Sequence, residues 1–228
     1  MENTIHPTKV ISIPVAYISI VMAASTVLLL ASLHFLSPEF NPSWRMVSEY
    51  ANGRYGWILS LMFISWAISS WALAFAIYAQ LRTMAAKIGL ILLITAGIGE
   101  ALAAVFDINH EPFHDIAGYI SIFGFAIAAM LISTYLSHTQ PWSAHKKALL
   151  WSANLTWISI VVLVVAFAVM IGTFMQSGAK VDPQAQISVL PAGVIGLVGW
   201  ANRLLIVVYC LWVLMIANLM LKLRENVS

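Results

Sequence analysis

One polar segment, residues 106–115, concentrates the side chains of this sequence that could bind a metal. It contains two imidazoles and three carboxylates, at His110, His114, Asp107, Glu111 and Asp115. Nitrogen and oxygen ligands of these types bind Zn²⁺ and other divalent ions. The spacing matches no established zinc pattern and Pro112 interrupts it, so two interpretations stay open. One is a metal site with Asp107, His110 and His114 as ligands, and the other is a hydrated loop.

A further histidine, His34, lies near the predicted end of the first apolar stretch. It could add a third imidazole to the polar segment. Histidines on two separate helices can also hold a haem iron from both sides, which makes His34 and His114 candidate axial ligands. Cofactor binding by these residues is an alternative to a purely structural role, and the sequence does not identify the cofactor.

Two ionisable residues, Glu100 and Arg203, interrupt stretches that are otherwise apolar. A charge in the bilayer interior costs a few kcal/mol unless it is paired or hydrated, so each suggests a function. At 1.5 Å per residue, Glu100 lies roughly 9 Å and Arg203 roughly 9–14 Å below the same membrane surface. The matching depths predict a Glu100–Arg203 ion pair with Asn202 beside it. Such a pair could lock two helices, bind a ligand or move a proton.

The composition shows what kind of fold must position these groups. Of the 228 residues, 61% are hydrophobic and 9% are charged, whereas about a quarter are charged in an ordinary soluble protein. A soluble fold with so few charged residues could not cover its surface with polar side chains. The single cysteine, Cys210, excludes a disulfide scaffold. The chain is therefore predicted to be an integral membrane protein.

Six apolar stretches are long enough to cross a bilayer, whose core of about 30 Å needs roughly 20 helical residues. Helices are expected because they satisfy their own backbone hydrogen bonds in lipid. The sequence predicts an all-α integral membrane protein, a six-transmembrane-helix bundle in a single domain over residues 1–228. The predicted spans are about 10–35, 56–80, 88–106, 115–136, 149–174 and 194–220.

The distribution of lysine and arginine predicts the orientation. With six spans, both termini share one side. That side carries seven basic residues, Lys9, Arg82, Lys87, Lys146, Lys147, Lys222 and Arg224. The other side carries three, Arg45, Arg54 and Lys180. We expect both termini to be cytoplasmic.

The first outer loop has a helical pattern of its own. Ser43 is a plausible N-cap, and the apolar residues near it follow helical spacing, at Phe40, Trp44, Val47 and Ala51. Arg45 and Glu49, four residues apart, would share a face. The pattern predicts a short interfacial helix. It is either a plain connector or, as we favour, a lid over the outer end of the bundle.

Three short segments resemble signatures of a known family, domain-of-unknown-function family 998, whose members are six-span prokaryotic membrane proteins. The segments are Val47-Ser48-Glu49-Tyr50 within 42–56, Phe106-Asp107 followed by His114, and Gly199-Trp200-Ala201-Asn202-Arg203. They occur in the family's order over nearly the whole chain. The sequence departs from the family pattern at Tyr50, usually Leu, at Asn202, usually Gln, and in lacking a proline before Asp107.

The resemblance implies the six-span layout, a prokaryotic cytoplasmic membrane and no established activity. It also groups Ser48, Glu49, Asp107, His114 and Arg203, which the predicted topology independently places at the outer end. Together with the residues inside the spans they give the pocket candidates, Ser48, Glu49, Glu100, Asp107, His114, Asn202 and Arg203.

Three functions are consistent with this inventory. The favoured one is non-catalytic: binding of a lipid or other small apolar ligand, or service as an accessory subunit of a membrane complex. The second is a hydrolase or lipid-modifying enzyme that uses Glu49, Asp107 and His114 around a metal or water. The third is a small transporter or proton path through Glu100 and Arg203. Membrane lipids, and other membrane subunits, are the expected partners, and nucleic acid is not.

Overall fold

The computed structural model describes residues 8–179 and 189–225, and the side chains of residues 13–179 and 189–223. Within these ranges the chain is helical and has no strand. The six long helices are α1 (Thr8–Leu36), α2 (Gly56–Ile77), α3 (Met84–Val105), α4 (Phe113–Leu136), α5 (Lys146–Ser177) and α6 (Val198–Glu225). Short 3₁₀ helices occupy Val47–Asn52, Tyr78–Gln80 and Trp142–His145. Lys180, used above to predict the orientation, lies outside the described residues.

All six helices are long and apolar enough to cross a membrane, which confirms the predicted fold class of a multi-pass bundle. The largest differences are at α5 and α6. Helix α5 continues beyond its apolar run at both ends, because Lys146 and Ser177 suit the polar edge of a bilayer. Helix α6 begins at Val198 rather than near residue 194, after a turn in which the backbone N–H of Val194 donates to the carbonyl of Pro191 at 3.1 Å and Gly193 has a φ of +86°.

The helices form a ring in chain order. Each packs against the next, and α6 returns to pack against α1. Helix α2 also contacts α6 across the ring. This cross-contact separates a three-helix compartment of α1, α2 and α6 from a five-helix compartment formed by α2 to α6.

Small residues allow the closest helix contacts. A side chain at Gly99 would place its Cβ 2.6 Å from the carbonyl oxygen of Ala117 and 2.8 Å from the backbone nitrogen of Ser121, so α3 and α4 touch through backbone. Gly97 accommodates the indole of Trp71, whose Nε1 donates to the carbonyl of Ile94 at 3.0 Å. Such contacts drive helix association where lipid supplies no hydrophobic force.

The loop between α1 and α2, residues 37–55, is called the cap loop, and the end of the bundle that carries it is the cap end. Its helix is shorter than predicted and begins at Val47. Ser43 does not cap it, because both its backbone nitrogen and its Oγ donate to Asn41 Oδ1 in a preceding turn. The cap residue is Met46, whose backbone N–H donates to Glu49 Oε1 at 2.7 Å.

The cap loop packs onto the helices below it. Val47 and Tyr50 are fully buried, and the 3₁₀ helix contacts α2 and α6. Arg45 and Glu49, which were predicted to share a helix face, form an ion pair in which Arg45 Nη1 donates to Glu49 Oε2, although Arg45 lies before the helix begins. The loop is thus fixed by both its buried residues and its own side-chain bonds.

Candidate functional site: a cavity beneath the cap loop

A cavity of about 410 Å³ lies inside the five-helix compartment, directly below the cap loop. Fifteen of the lining residues are apolar or glycine, and the polar ones are Ser48, Glu100, His114, Asp115, Ser121 and Asn202. Helices α2 to α6 and the cap loop all contribute, and within the described residues α1 contributes none. The cross-contact of α2 with α6 explains this, because it closes α1 off from the compartment.

Two buried polar atoms at the cavity wall have no protein partner. Glu100 is 1% exposed, and only its Oε2 is bonded, to Ser70 Oγ at 2.9 Å. Trp66 is 3% exposed, and its indole Nε1 donates to nothing. Neither Trp66 Nε1 nor Glu100 Oε1 has a hydrogen-bond partner within the described part of the chain. Buried polar groups are nearly always bonded, so both atoms indicate a partner from outside the protein.

His114 presents a defined face to the cavity. Its Nδ1 lies 2.8 Å from the carbonyl oxygen of Phe106, and a carbonyl can only accept, so Nδ1 carries the proton. In the neutral ring Nε2 is then an acceptor. The neighbouring Asp115 lies in the first turn of α4, where the positive end of the helix dipole favours an acid.

The cavity reaches the side of the bundle between α4 and α5. Tyr119 and Phe123 of α4 line it, yet they are 64% and 42% exposed. Val164 of α5 also lines it and is 58% exposed. The lining residues of α2, α3 and α6 are buried by contrast. At Gly118 a Cβ would meet no atom within 4 Å, as expected for a glycine that faces open space.

A separate polar centre surrounds Arg203 in the three-helix compartment. Its Nε donates to His34 Nε2 at 2.8 Å, and one Nη donates to the hydroxyl of Tyr50 at 2.9 Å. The other Nη donates to the carbonyl oxygens of Arg45 at 2.7 Å, Gly199 at 2.9 Å and Pro42 at 3.4 Å. The buried guanidinium therefore joins α1, α6 and the cap loop through neutral acceptors.

Two further bonds attach the cap loop to α6. The backbone N–H of Gly199 donates to the carbonyl of Ser43 at 3.0 Å, and the backbone N–H of Val47 donates to Asn202 Oδ1 at 2.9 Å. A Cβ at Gly199 would lie 2.4 Å from the carbonyl oxygen of Pro42. We call this arrangement of the cap loop on the start of α6, with Arg203 at its centre, the clamp.

A comparison with protein families assigns the chain to a family. A family model described as "Protein of unknown function (DUF998)" matches residues 20–218. The chain belongs to this family. No curated protein and no solved structure matches the chain. Two of the segments that resemble the family's signatures, 47–50 and 199–203, are the two halves of the clamp in this DUF998 member.

The predicted Glu100–Arg203 ion pair is wrong. Glu100 bonds to Ser70 at the cavity, whereas Arg203 bonds to His34, Tyr50 and carbonyl oxygens on the other side of α6. Successive residues of a helix are rotated by about 100°, so Asn202 faces the cavity while Arg203 faces α1. Matching depths did not bring the two charges together, because they lie in different compartments.

The candidate metal ligands do not assemble into a cluster. Asp107 Oδ1 contacts His110 Nδ1 at 2.8 Å, while His114 is turned toward the carbonyl of Phe106. Slight burial acts to raise the pKa of Asp107, but hydrogen bonds from His110 and from the backbone of Asn109 outweigh it and lower the pKa. Throughout the described ranges, no group of three or more His, Cys, Asp or Glu side chains could hold a metal.

The haem hypothesis fails at His34. The ring Nδ1 lies 2.9 Å from the carbonyl of Leu30, and Nε2 accepts the hydrogen bond from Arg203. Both nitrogens are occupied, so none is free for an iron. The ring also stacks on Trp200 with an interplanar angle of 14°, which fixes its orientation in the clamp.

The seven pocket candidates separate into two sets. Ser48, Glu100, His114 and Asn202 line the cavity, whereas Glu49, Asp107 and Arg203 do not. Trp66, Ser70 and Tyr50 were not among the predicted candidates. Trp66 and Ser70 are four residues apart and share one face of α2, but Ser65 and Ser69 have the same spacing, so the sequence signal is weak.

Proposed function

We propose that this DUF998 member binds a lipid or another small apolar molecule in the cavity and does not catalyse a reaction on it. The observation that carries the proposal is the cavity itself, mostly apolar but with the two unpartnered polar atoms at Glu100 and Trp66. Small-molecule sites have this character, an apolar lining with a few polar groups that orient the ligand. The opening between α4 and α5 gives a membrane-dissolved ligand direct access.

The two alternative functions receive less support. A hydrolase centre made of Glu49, Asp107 and His114 would need the three side chains around one space, and only His114 lines the cavity. A proton path through Glu100 and Arg203 would need the two groups to exchange protons, and each is bonded within its own compartment. Ligand binding needs only groups that the cavity already contains.

Filling the cavity should reduce ligand binding. Gly118→Leu is expected to direct a side chain into the cavity, since nothing lies within 4 Å of a Cβ there. The measurement is native mass spectrometry of the purified protein, counting the membrane lipids of any class that stay bound after detergent exchange. We expect the wild type to retain about one lipid more than the variant.

Gly172→Leu is the matched control. Gly172 is also a helical glycine with no atom within 4 Å of its Cβ, but it lies on α5 outside the cavity lining. It should therefore gain the same helix propensity without changing lipid retention. If Gly118→Leu retained as much lipid as the wild type and the control, the proposed function would be wrong.

The proposal includes an orientation, with the cap end facing away from the cytoplasm of a prokaryotic cell and both termini inside. The excess of lysine and arginine at the opposite end supports it. Arg54 and Lys147 are exposed at the two ends, and the native Cys210 is fully buried and should not react. A membrane-impermeant maleimide added to intact cells should label Arg54→Cys and spare Lys147→Cys until the cells are opened. The reverse pattern would invert the orientation.

A further inference from the structure

We infer that the ligand carries an uncharged hydroxyl group, which donates to Glu100 Oε1 and accepts from Trp66 Nε1. This inference rests on the proposed function and specifies the class of ligand. The ligand would be a long-chain alcohol or a lipid with a free hydroxyl, its chain lying among the apolar side chains toward the opening between α4 and α5.

The positions of the two residues support one shared partner. Trp66 and Ser70 are one helical turn apart on the same face of α2. Ser70 Oγ holds Glu100 Oε2 at 2.9 Å, which brings the carboxylate against this face and leaves Oε1 as its unbonded oxygen. The side chains of Trp66 and Glu100 line the cavity and are almost fully buried. A partner must therefore reach them through the cavity.

The hydrogen-bonding requirements of the two atoms select the chemical group. The indole N–H can only donate, so its partner must have a lone pair. The carboxylate oxygen requires a donor in its ionised form. A hydroxyl supplies both functions at one atom. An ammonium has no lone pair for Trp66, and an ether or a ketone has no proton for an ionised Glu100, whereas a hydroxyl can donate to the ionised carboxylate and can also accept from the carboxyl group when it is protonated.

The charges around the cavity disfavour an anionic ligand. Glu100 and Asp115 both line it, and no lysine or arginine does within the described residues. The nearest buried cation, Arg203, has its hydrogen bonds in the other compartment. A carboxylate or phosphate head group would face acids with no compensating positive charge, which costs binding free energy in a low-dielectric site.

The test compares four probes with the same chain of twelve carbons: 1-dodecanol, dodecane, dodecylamine and dodecanoate. The full-length protein is placed in nanodiscs and the probe is added at increasing mole fraction. Because Cys210 is the single cysteine and is buried, its reaction with a thiol-specific dye reports thermal unfolding. We expect 1-dodecanol to raise the midpoint temperature at a mole fraction at least about fivefold lower than any other probe, which corresponds to one hydrogen bond of about 1 kcal/mol.

The indole contact is tested with Trp66→Phe, which keeps an aromatic ring and removes the N–H. It should raise the mole fraction of 1-dodecanol needed for half of the effect by about fivefold and leave that of dodecane unchanged. Trp57→Phe is the control, because Trp57 is exposed and does not line the cavity. The response of this control should equal that of the wild type.

The outcomes separate the inference from the proposed function. If all four probes stabilise the protein alike and Gly118→Leu abolishes the effect, the cavity binds apolar molecules but the hydroxyl inference is wrong. A preference for dodecylamine or dodecanoate over 1-dodecanol would also overturn it. If no probe acts on the wild type, or if Gly118→Leu responds as the wild type does, both the inference and the proposed function fail.

Discussion

Gly199→Ala is expected to destabilise the protein by about 3 kcal/mol, at the upper end of the usual cost of overpacking. The new Cβ would lie 2.4 Å from the carbonyl oxygen of Pro42 and 2.5 Å from that of Arg45. Both neighbours are backbone atoms, so no side-chain rotation can relieve the contact. The cap loop would have to move away from α6, which would also lengthen the bond from Gly199 to Ser43 and those made by Arg203.

The measurement is the midpoint temperature of Cys210 labelling in detergent. Gly172→Ala is the matched control: it changes the same residue type inside a helix, where nothing lies within 4 Å of the Cβ. Since alanine is the better helix former, the control should be as stable as the wild type or slightly more stable. Equal midpoints for Gly199→Ala and Gly172→Ala would show that the clamp is not tightly packed.

Arg203→Met should have the other large effect, a loss of roughly 3–5 kcal/mol. The variant leaves His34 Nε2, the Tyr50 hydroxyl and buried carbonyl oxygens without their donor, and each unpaired buried group costs about 1–3 kcal/mol. The expected loss of stability is smaller than the sum of these costs, because the variant also removes the cost of burying the guanidinium cation. Midpoint temperatures of Cys210 labelling again give the measurement.

Two comparisons make this prediction specific. Arg54→Met removes an exposed arginine of the cap loop and should change stability by less than about 0.5 kcal/mol. Arg203→Lys keeps the charge but not the planar set of donors, so it should recover only part of the loss. The double reversal Glu100→Arg with Arg203→Glu should be no more stable than either single variant. If the double reversal were more stable than both single variants, this result would support the Glu100–Arg203 ion pair that the structure excludes.

The clamp and the cavity depend on each other through adjacent residues of α6. Asn202 binds the cap loop at Val47 and lines the cavity, while Arg203 holds the other side of the same loop. The cap loop in turn lines the cavity with Met46, Val47 and Ser48. This geometry supports the lid interpretation of the loop. Loosening the clamp should therefore also weaken the wall of the cavity at the cap end.

The sequence by itself determined the six helices and their approximate ends. Hydrocarbon offers no hydrogen bonds, so long apolar stretches must form helices, and polar residues mark where water begins. It also marked Glu100, His114 and Arg203 as residues with a specific structural or functional role, since ionisable groups in or near a span cost free energy. The prediction that Arg45 and Glu49 share a face came from their spacing of four residues, about one helical turn.

The tertiary structure alone decided which groups meet. Apart from Gly199, one helical turn away, the partners of Arg203 come from positions about 150 to 170 residues away, and no local spacing encodes such distances. Rotation about α6 and the contact of α2 with α6 place Arg203 and Glu100 in different compartments despite their similar depth. The cavity exists for the same reason, since five helices enclose a space only after they close a ring. The depth of a residue in the bilayer can be predicted from its position along one helix. The neighbour that its side chain faces depends on how all six helices pack.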